Sequence, residues 1–312
     1  MTAVIRFSIC IPVYNRERLI TRAIASCLIQ NGADFEIVVI DDGSSDGSVA
    51  AIEAMADERI RLRCLGSNRG MATARNTAIA AARGEWIVTL DSDDELLPGG
   101  LDRIREVVES GATDVDCYEF MYQRDDGCCS PDPPLVDRRI DFQDYLGRLD
   151  RQRFFDSLHC LRRSAALQTP WREWKVAGVI LHSLEVHHTY RCADVSSAVA
   201  LIHTDADNRI SWVRRGAALA RRAGQDLGEE LDLIFARYGA ELRCWAPLTW
   251  RRYQRVRASY FFLAGCRRSG VWQSLRCLSA SPLSADVWAS LIFGLTGPHL
   301  YARIRAWRRP PT

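Results

Sequence analysis

The sequence predicts an α/β protein, a doubly wound and mostly parallel sheet followed by a helical, basic C-terminal region. Three observations carry that reading. Short apolar, β-branched runs alternate with segments of helical period through roughly the first hundred residues. The runs are nearly continuous in apolar character, as strands covered on both faces are. Polar loops follow the first, second and fourth runs, at the strand ends where an open α/β sheet binds its ligands.

Phe7–Val13 reads as a central strand closing at Pro12. Asn15 is placed to cap the helix that follows, in which Leu19, Ile20, Ala23, Ile24, Cys27 and Leu28 recur at helical spacing. Residues 36–40 form the second strand, with Asp41-Asp42-Gly43-Ser44-Ser45-Asp46 as the loop after it. A helix over 48–56, a strand over 60–65 and an alanine-rich helix over 71–82 come next. The fourth strand is 86–90, followed by a helix over 99–108. Further on, 115–122 reads as a strand and 125–134 as a polar, Pro-rich hairpin or loop. Residues 179–188 read as a helix and 198–202 as a strand. Beyond 213 the pattern is helical, over 213–238, 250–268 and 286–307.

Hydrophobic content of 47% and charged content of 26% are those of a soluble globular chain; a net charge of +2 gives no whole-chain argument for nucleic acid, and no such partner is expected. The charge is uneven. After Glu241 the only acid is Asp286, against arginines at 243, 251, 252, 255, 257, 267, 268, 276, 303, 305, 308 and 309. Lys175 is the sole lysine, a bias typical of a high-GC bacterial genome. Eleven cysteines without a Cys-x-x-Cys pair fit buried thiols in a reducing compartment. No signal peptide and no apolar run near the ~20 residues of a membrane span is present. The expectation is a cytoplasmic protein whose basic, Trp-bearing C-terminal region suits the inner face of an anionic membrane, with a packing appendage or an oligomer contact as the alternative.

The chemistry concentrates in Asp91-Ser92-Asp93-Asp94. Three carboxylates crowding one strand end repel unless cations or hydrogen bonds neutralise them. Asp-x-Asp on a turn suits a hard divalent ion, Mg²⁺ or Mn²⁺, that keeps sites open for phosphate oxygens. Neither Gly-x-Gly-x-x-Gly nor a P-loop follows the first strand, so a nucleotide here would be handled by acids and a metal.

Together with that stretch, Ile11-Pro12-Val13-Tyr14-Asn15, Val39-Ile40-Asp41-Asp42-Gly43-Ser44, Asn68-Arg69-Gly70, Ala74-Arg75-Asn76 and Gly84-Glu85-Trp86-Ile87 match in order and spacing. In these the chain resembles the GT-A glycosyltransferases of family 2, which are inverting and use nucleotide-sugar donors. The resemblance implies a GT-A domain over 1–212, with a nucleotide-sugar-binding half at 1–110 and an acceptor half at 111–212, and a helical region over 213–312. It implies that Pro12, Tyr14 and Asp42 line the base and ribose pocket, with Asn15, Asp41 and Ser92 in the same donor loops. Arg75 would lie near the diphosphate or ribose, Asp91 against the ribose or the metal's water shell, and Asp93 on the metal. Asp94 would orient the donor sugar or cap the next turn. His203 is placed like the late histidine that completes the metal site in many GT-A enzymes, and Arg209 like a residue of the loop that closes over the diphosphate.

The family's base is usually an Asp, often within a Glu-Asp pair, opening a helix some eighty residues past the metal motif. No such pair occurs here. Glu173 and Glu185 are the candidates, with His182 one turn before Glu185. The implied function is transfer of a sugar, from a donor expected to be UDP-linked, onto a glycan or lipid-linked glycan in bacterial surface polysaccharide assembly. Two alternatives stay open: a GT-A-like binding or scaffold protein that has lost its base, and a metal-dependent sugar nucleotidyltransferase.

Overall fold

Strand β1 (Phe7–Val13) is buried along its whole length except at Pro12, which makes it a central strand in the computed structural model. The structure describes residues 4–111, 114–152, 156–174, 178–203, 217–280 and 282–295. Arg209 and the neighbouring acids Asp205 and Asp207 lie outside the described residues.

Strand β2 (Phe35–Asp41) runs parallel to β1 on one side and β4 (Trp86–Thr89) runs parallel on the other; β3 (Ile60–Cys64) flanks β2. The helices α1 (Ile20–Leu28), α2 (Ser48–Glu53) and α3 (Met71–Ala81) make the crossovers. The chain steps outward from β1 and then returns to its other side, so the strand order reverses between β1 and β4. That reversal opens a crevice at the C-terminal strand ends, where the loops beginning at Tyr14 and Asp91 diverge.

Past β4 the sheet changes character. Strand β9 (Ser157–Arg162) is antiparallel to both β4 and β6 (Cys117–Arg124), and β10 (Cys192–Ile202) lies parallel to β6. The short β5 (Glu95–Leu96) and β8 (Arg138–Ile140) pair antiparallel to β10, and β7 (Cys129–Ser130) folds back on β6 as a hairpin. Strand β9 was not expected, because Ser-Leu-His-Cys-Leu-Arg is apolar at only three of six positions. Strand β10 starts six residues earlier than expected. Its register with β6 shifts twice between Val195 and Ala200, around the exposed Ser196 that breaks the apolar run. The core of this sheet gathers Phe7, Ile9, Ile11, Phe35, Trp86 and Phe120, all at most 2% exposed.

By contact the chain divides into two compact units. The first holds the sheet and its helices, among them α4 (Gly100–Ser110) and α6 (Arg163–Gln168). The second consists of Leu146–Asp150, Trp174–Leu181 and the chain from 207 onward. Its helices are α8 (Ala217–Trp245), α9 (Pro247–Ala264), α10 (Arg267–Ala280) and α11 (Ala285–Gly294). Carboxylates cap two helix starts within this unit. Asp150, from α5 (Phe142–Arg151), accepts the Leu248 and Thr249 amides at 3.0 and 2.6 Å, at the first turn of α9. Glu230 of α8 accepts the Leu181 amide at 3.0 Å and is also bonded to the Gly178 and Ile180 amides, at the opening of α7 (Val179–Thr189). Among the described residues no helix is long and apolar enough to cross a membrane.

Candidate active site

The loops after β1 and β2 are tied to each other by side chains. Asn15 sits at φ +51° with its own amide donated to Ser44 Oγ at 2.9 Å, while its Oδ1 accepts the Ser45 amide at 2.8 Å. It therefore does not cap α1, which starts at Ile20 after an uncapped Leu19. Asn tolerates the left-handed region that this turn requires, and its side chain satisfies the neighbouring loop's backbone. Asp41 folds back on its own loop and accepts the Gly43 and Ser44 amides at 3.1–3.2 Å. Asp42, 3% exposed, accepts the Arg69 and Gly70 amides at 2.7 and 2.8 Å and so fixes the loop that enters α3. Gly43 completes this knot: at φ +76°, a Cβ there would stand 2.5 Å from the Ser67 backbone. Pro12 pairs with Ile40 across the β1–β2 ladder, and Tyr14 is half-buried just past the end of β1.

At the end of β4 the crowded carboxylates have arginine partners. Asp91 Oδ1 is 2.5 Å from Arg75 Nη2 on α3, and Asp93 Oδ2 is 3.9 Å from Arg16 Nη2. Arg22 on α1 donates to the Asp93 carbonyl at 2.9 Å and pairs with Glu95 at 3.2 Å. The repulsion expected of adjacent anions is offset by Arg75 on Asp91 and Arg16 near Asp93, while Arg22 holds the turn through the Asp93 carbonyl. Ser92 and Asp94 are buried beneath the turn, and the Asp94 amide closes it on the Asp91 carbonyl at 3.1 Å. His203, at the end of β10, presents Nε2 to Glu95 Oε1 at 2.5 Å, in an ion-pair network that Arg22 shares.

Two features of this edge were not legible as site residues. Asn76, next to Arg75, brackets the backbone of Trp171: its Nδ2 donates to the Trp171 carbonyl and its Oδ1 accepts the Trp171 amide, both at 2.8 Å. The Trp171 ring then lies 4.5 Å from the Arg75 guanidinium and stacks on His182 at 4.0 Å. Burial holds the His182 imidazole neutral, its pKa pushed down to about 3, with His159, Arg75 and His187 adding to the effect. Tyr122, at the end of β6, is the second. Burial raises its phenol well above the ordinary value, and the charges of Asp94, Asp91 and Asp156 raise it further. Ala74-Arg75-Asn76 was visible as a motif, but only the fold brings position 76 against position 171.

The base candidates differ in setting. Glu173 is exposed and stands two residues beyond the clamped Trp171, whereas Glu185 is half-buried on α7. The opening of α7 carries Val179 and Ile180, with no carboxylate of its own.

The donor set suits a divalent cation of the hard class. Asp91 and Asp93 offer only oxygens, on a turn, with side chains 47% and 22% exposed. Among the described residues no three His, Cys, Asp or Glu side chains stand together as ligands. Such an ion would draw the rest of its shell from phosphate oxygens and water, as Mg²⁺ does.

Residues 8–151 match the sequence family described as Glycosyl transferase family 2. The succinoglycan biosynthesis protein ExoO of Rhizobium meliloti (strain 1021) is 48% identical over 99 residues, 32% of this chain and 28% of ExoO. The Escherichia coli protein WfgD is named UDP-Glc:alpha-D-GlcNAc-diphosphoundecaprenol beta-1,3-glucosyltransferase. It is 44% identical over 87 residues, 28% of this chain and 34% of WfgD. The matches thus span about a third of these relatives' length. Among solved structures, Staphylococcus aureus TarS 1-349 in complex with UDP-GlcNAc superposes with a TM-score of 0.59 at 18% identity, over 98% of this chain and 93% of that one. The Pyrobaculum calidifontis mannosyltransferase PcManGT, in complex with GDP-Man and Mn²⁺, gives 0.54 at 17% identity over 98% and 88%. At those identities the likeness shows a shared GT-A-type fold.

Proposed function

We propose, from the match of residues 8–151 to glycosyl transferase family 2, that the chain is a glycosyltransferase of this family and carries out an inverting transfer of a sugar from a UDP-linked donor to a glycan or lipid-linked glycan acceptor. The observation that carries the proposal is the acidic edge itself. Asp91, Asp93 and Asp94 stand at the switch point of the sheet, with Arg75, Arg16 and Arg22 around them and the Asp41–Asp42 loop beside them. UDP-GlcNAc in TarS and the UDP-glucose in WfgD's name support the donor class; the diphosphoundecaprenol in that name supports a lipid-linked acceptor. The reading also includes a peripheral position at the inner face of the membrane.

Asp93, with Asp91, would hold Mg²⁺ or Mn²⁺, which when bound supplies positive charge to the departing diphosphate. The Mn²⁺ in PcManGT supports that choice of ion. Pro12 and Tyr14 line the base pocket, on loops that Asn15, Asp41, Asp42 and Gly43 hold rigid. Arg75 is oriented by Trp171 from one side and Asp91 from another, so its guanidinium is already fixed before phosphate arrives. An acceptor hydroxyl forms the new bond to the anomeric carbon while the bond to the nucleoside diphosphate breaks, and its proton passes to a carboxylate. Glu173 is the preferred base, because the Asn76 clamp on Trp171 holds its segment at the Arg75–Asp91 edge.

One observation favours a second reading, a binding protein without transfer activity: α7 opens on Val179 and Ile180, and its first amides are taken by Glu230. Calorimetric titration of UDP, GDP and dTDP with Mn²⁺ or with EDTA, on wild type and Asp93→Ala, tests the donor site. UDP binding that requires Mn²⁺ and is lost in Asp93→Ala is expected; equal binding with EDTA would refute the metal role. Slow hydrolysis of UDP-sugars by the wild type but not by Glu173→Gln separates the enzyme from the binding protein.

A further inference from the structure

Helices α10 and α11 turn the wrong residues to water. On α10 the buried positions are Gly270, Gln273, Ser274 and Leu278, of which only Leu278 is a large apolar side chain. The exposed stripe instead carries Trp272 at 59% and Leu275 at 53%, with Arg268 and Arg276 on the same turns. On α11, Val287 faces inward while Trp288, Ile292 and the following Leu295 are 46–58% exposed, and Leu283 in the connecting turn is 96% exposed. An ordinary surface helix turns its apolar stripe to the core; α10 turns most of its stripe outward, and α11 carries apolar residues outside as well as inside.

The packing beneath explains how the reversal is held. Phe262 of α9, fully buried, fills the space against Gly270 of α10 and Gly294 of α11. A Cβ at either glycine would stand within 2.8 Å of its ring. The helices thus approach α9 through glycine, and a single Phe supplies apolar contact to both. Gln273 completes the inner face by donating to Gln254. With its inner face settled by Gly270, Ser274, an amide network and Leu278, α10 leaves Trp272 and Leu275 outside. The Arg276 guanidinium lies 4.6 Å from the Trp272 ring, which places cation and aromatic side by side on the outer face.

We propose that this α10–α11 face is a docking surface for an anionic lipid bilayer, lying in the headgroup layer with Trp272, Leu275, Trp288 and Ile292 inserted and Arg268 and Arg276 on the lipid phosphates. Charge complementarity selects the occupant. Helix α10 carries Arg267, Arg268 and Arg276, all exposed, and no acid, so the face meets an anionic surface. A second copy docking through the same patch would bring like charges together. A nucleic acid would satisfy the arginines but leave the Trp, Leu and Ile side chains in water. The proposal deepens the peripheral membrane position proposed above and rests on that part of the reading, but on none of the donor-site residues, so a failure to float and a failure to bind UDP are told apart.

The test is flotation of the full chain with vesicles of phosphatidylcholine alone, or with one-third phosphatidylglycerol. The wild type is expected to float with the anionic vesicles and not with the neutral ones, and to release as salt shortens the screening length. Trp272→Ser with Leu275→Ser, and separately Trp288→Ser with Ile292→Ser, are each expected to weaken partitioning by about tenfold or more, from the loss of two buried apolar side chains. Both double variants are expected to keep wild-type UDP binding and unfolding midpoints, which separates a docking defect from a folding defect. Flotation unchanged in both double variants would overturn the proposal. So would a wild-type dimer in lipid-free sedimentation that the same substitutions dissolve.

Discussion

Asn76→Ala would disconnect the Trp171 segment from the donor edge, and the size of the effect can be worked from the contacts. The wild-type amide makes two 2.8 Å hydrogen bonds to the Trp171 backbone, each worth about 1 kcal/mol net. Arg172 and Glu173 beside it are exposed, so water can reach the released backbone groups and the cost stays near that net value. Losing the partly buried Arg75–Trp171 contact adds about 1 kcal/mol. The total of about 3 kcal/mol corresponds to a roughly hundredfold shift away from the docked segment. Hydrogen exchange followed by mass spectrometry should show the Trp171 amide exchanging faster by about that factor. UDP affinity should fall less, by roughly tenfold, since Arg75 keeps Asp91. Asn76→Asp keeps the acceptor for the Trp171 amide but loses the donor to its carbonyl, so it should fall between wild type and Asn76→Ala. Unchanged exchange at Trp171 in Asn76→Ala would falsify the clamp, and a wild-type UDP affinity in that variant would break the link from clamp to donor site.

Three other substitutions probe the scaffold. Gly43→Ala forces a Cβ to 2.5 Å from the Ser67 backbone at φ +76°, and should cost about 2 kcal/mol or more in urea unfolding and weaken nucleotide binding with it. Glu36 is 1% exposed; burial pulls its pKa up, but bonds from Ser8, the Arg83 amide, Arg61 and Arg83 outweigh that and hold it low. Its stabilisation is present above the unfolded carboxylate value and is lost as pH falls through the lowered one. Glu36→Ala should therefore cost about 3 kcal/mol at neutral pH, the low end for a broken buried pair because Arg61 and Arg83 reach solvent. His182 titrates with the opposite charge type. Its folded pKa of about 3 lies below the unfolded value of about 6.5, so its neutral form stabilises fully above 6.5 and the benefit drains as pH falls toward 3. Between pH 7.5 and 5 the wild type should lose about 2 kcal/mol more than His182→Phe, which keeps a ring on Trp171 without the titration. Equal losses in the two proteins would show that His182 is not held neutral.

The parallel half of the sheet was readable because its signals are local. Phe7–Val13, Phe35–Asp41 and Trp86–Thr89 are short apolar runs set between helical-period segments, and such runs mean buried parallel strands whatever the rest of the chain does. The acidic edge followed, since right-handed crossovers place consecutive strand ends together. The antiparallel strands β5, β8 and β9 were not readable. Each is short or mixed in polarity, and its strand character comes from neighbours far along the chain.

By itself, the sequence determined the fold class, the family resemblance and which loops meet at the edge of the sheet, because periodicity and linked motifs act over a few residues at a time. What each side chain does there was decided by tertiary contacts. Asn15 reads from the sequence as a helix cap or a donor-loop residue and Asp42 as a pocket residue; that Asn15 holds Ser44 and Ser45 and Asp42 holds the Arg69 and Gly70 amides only the fold shows. His203 reads from the sequence as a candidate metal ligand, and the fold adds Glu95 beside it and Arg22 on the same carboxylate. Asn76 had no assigned role until Trp171, ninety-five residues away, was found between its two polar atoms. The outward face of α10 was likewise hidden. A helical wheel shows where Trp272 and Leu275 lie relative to Gly270 and Gln273, but only packing against Phe262 decides which of those faces is buried.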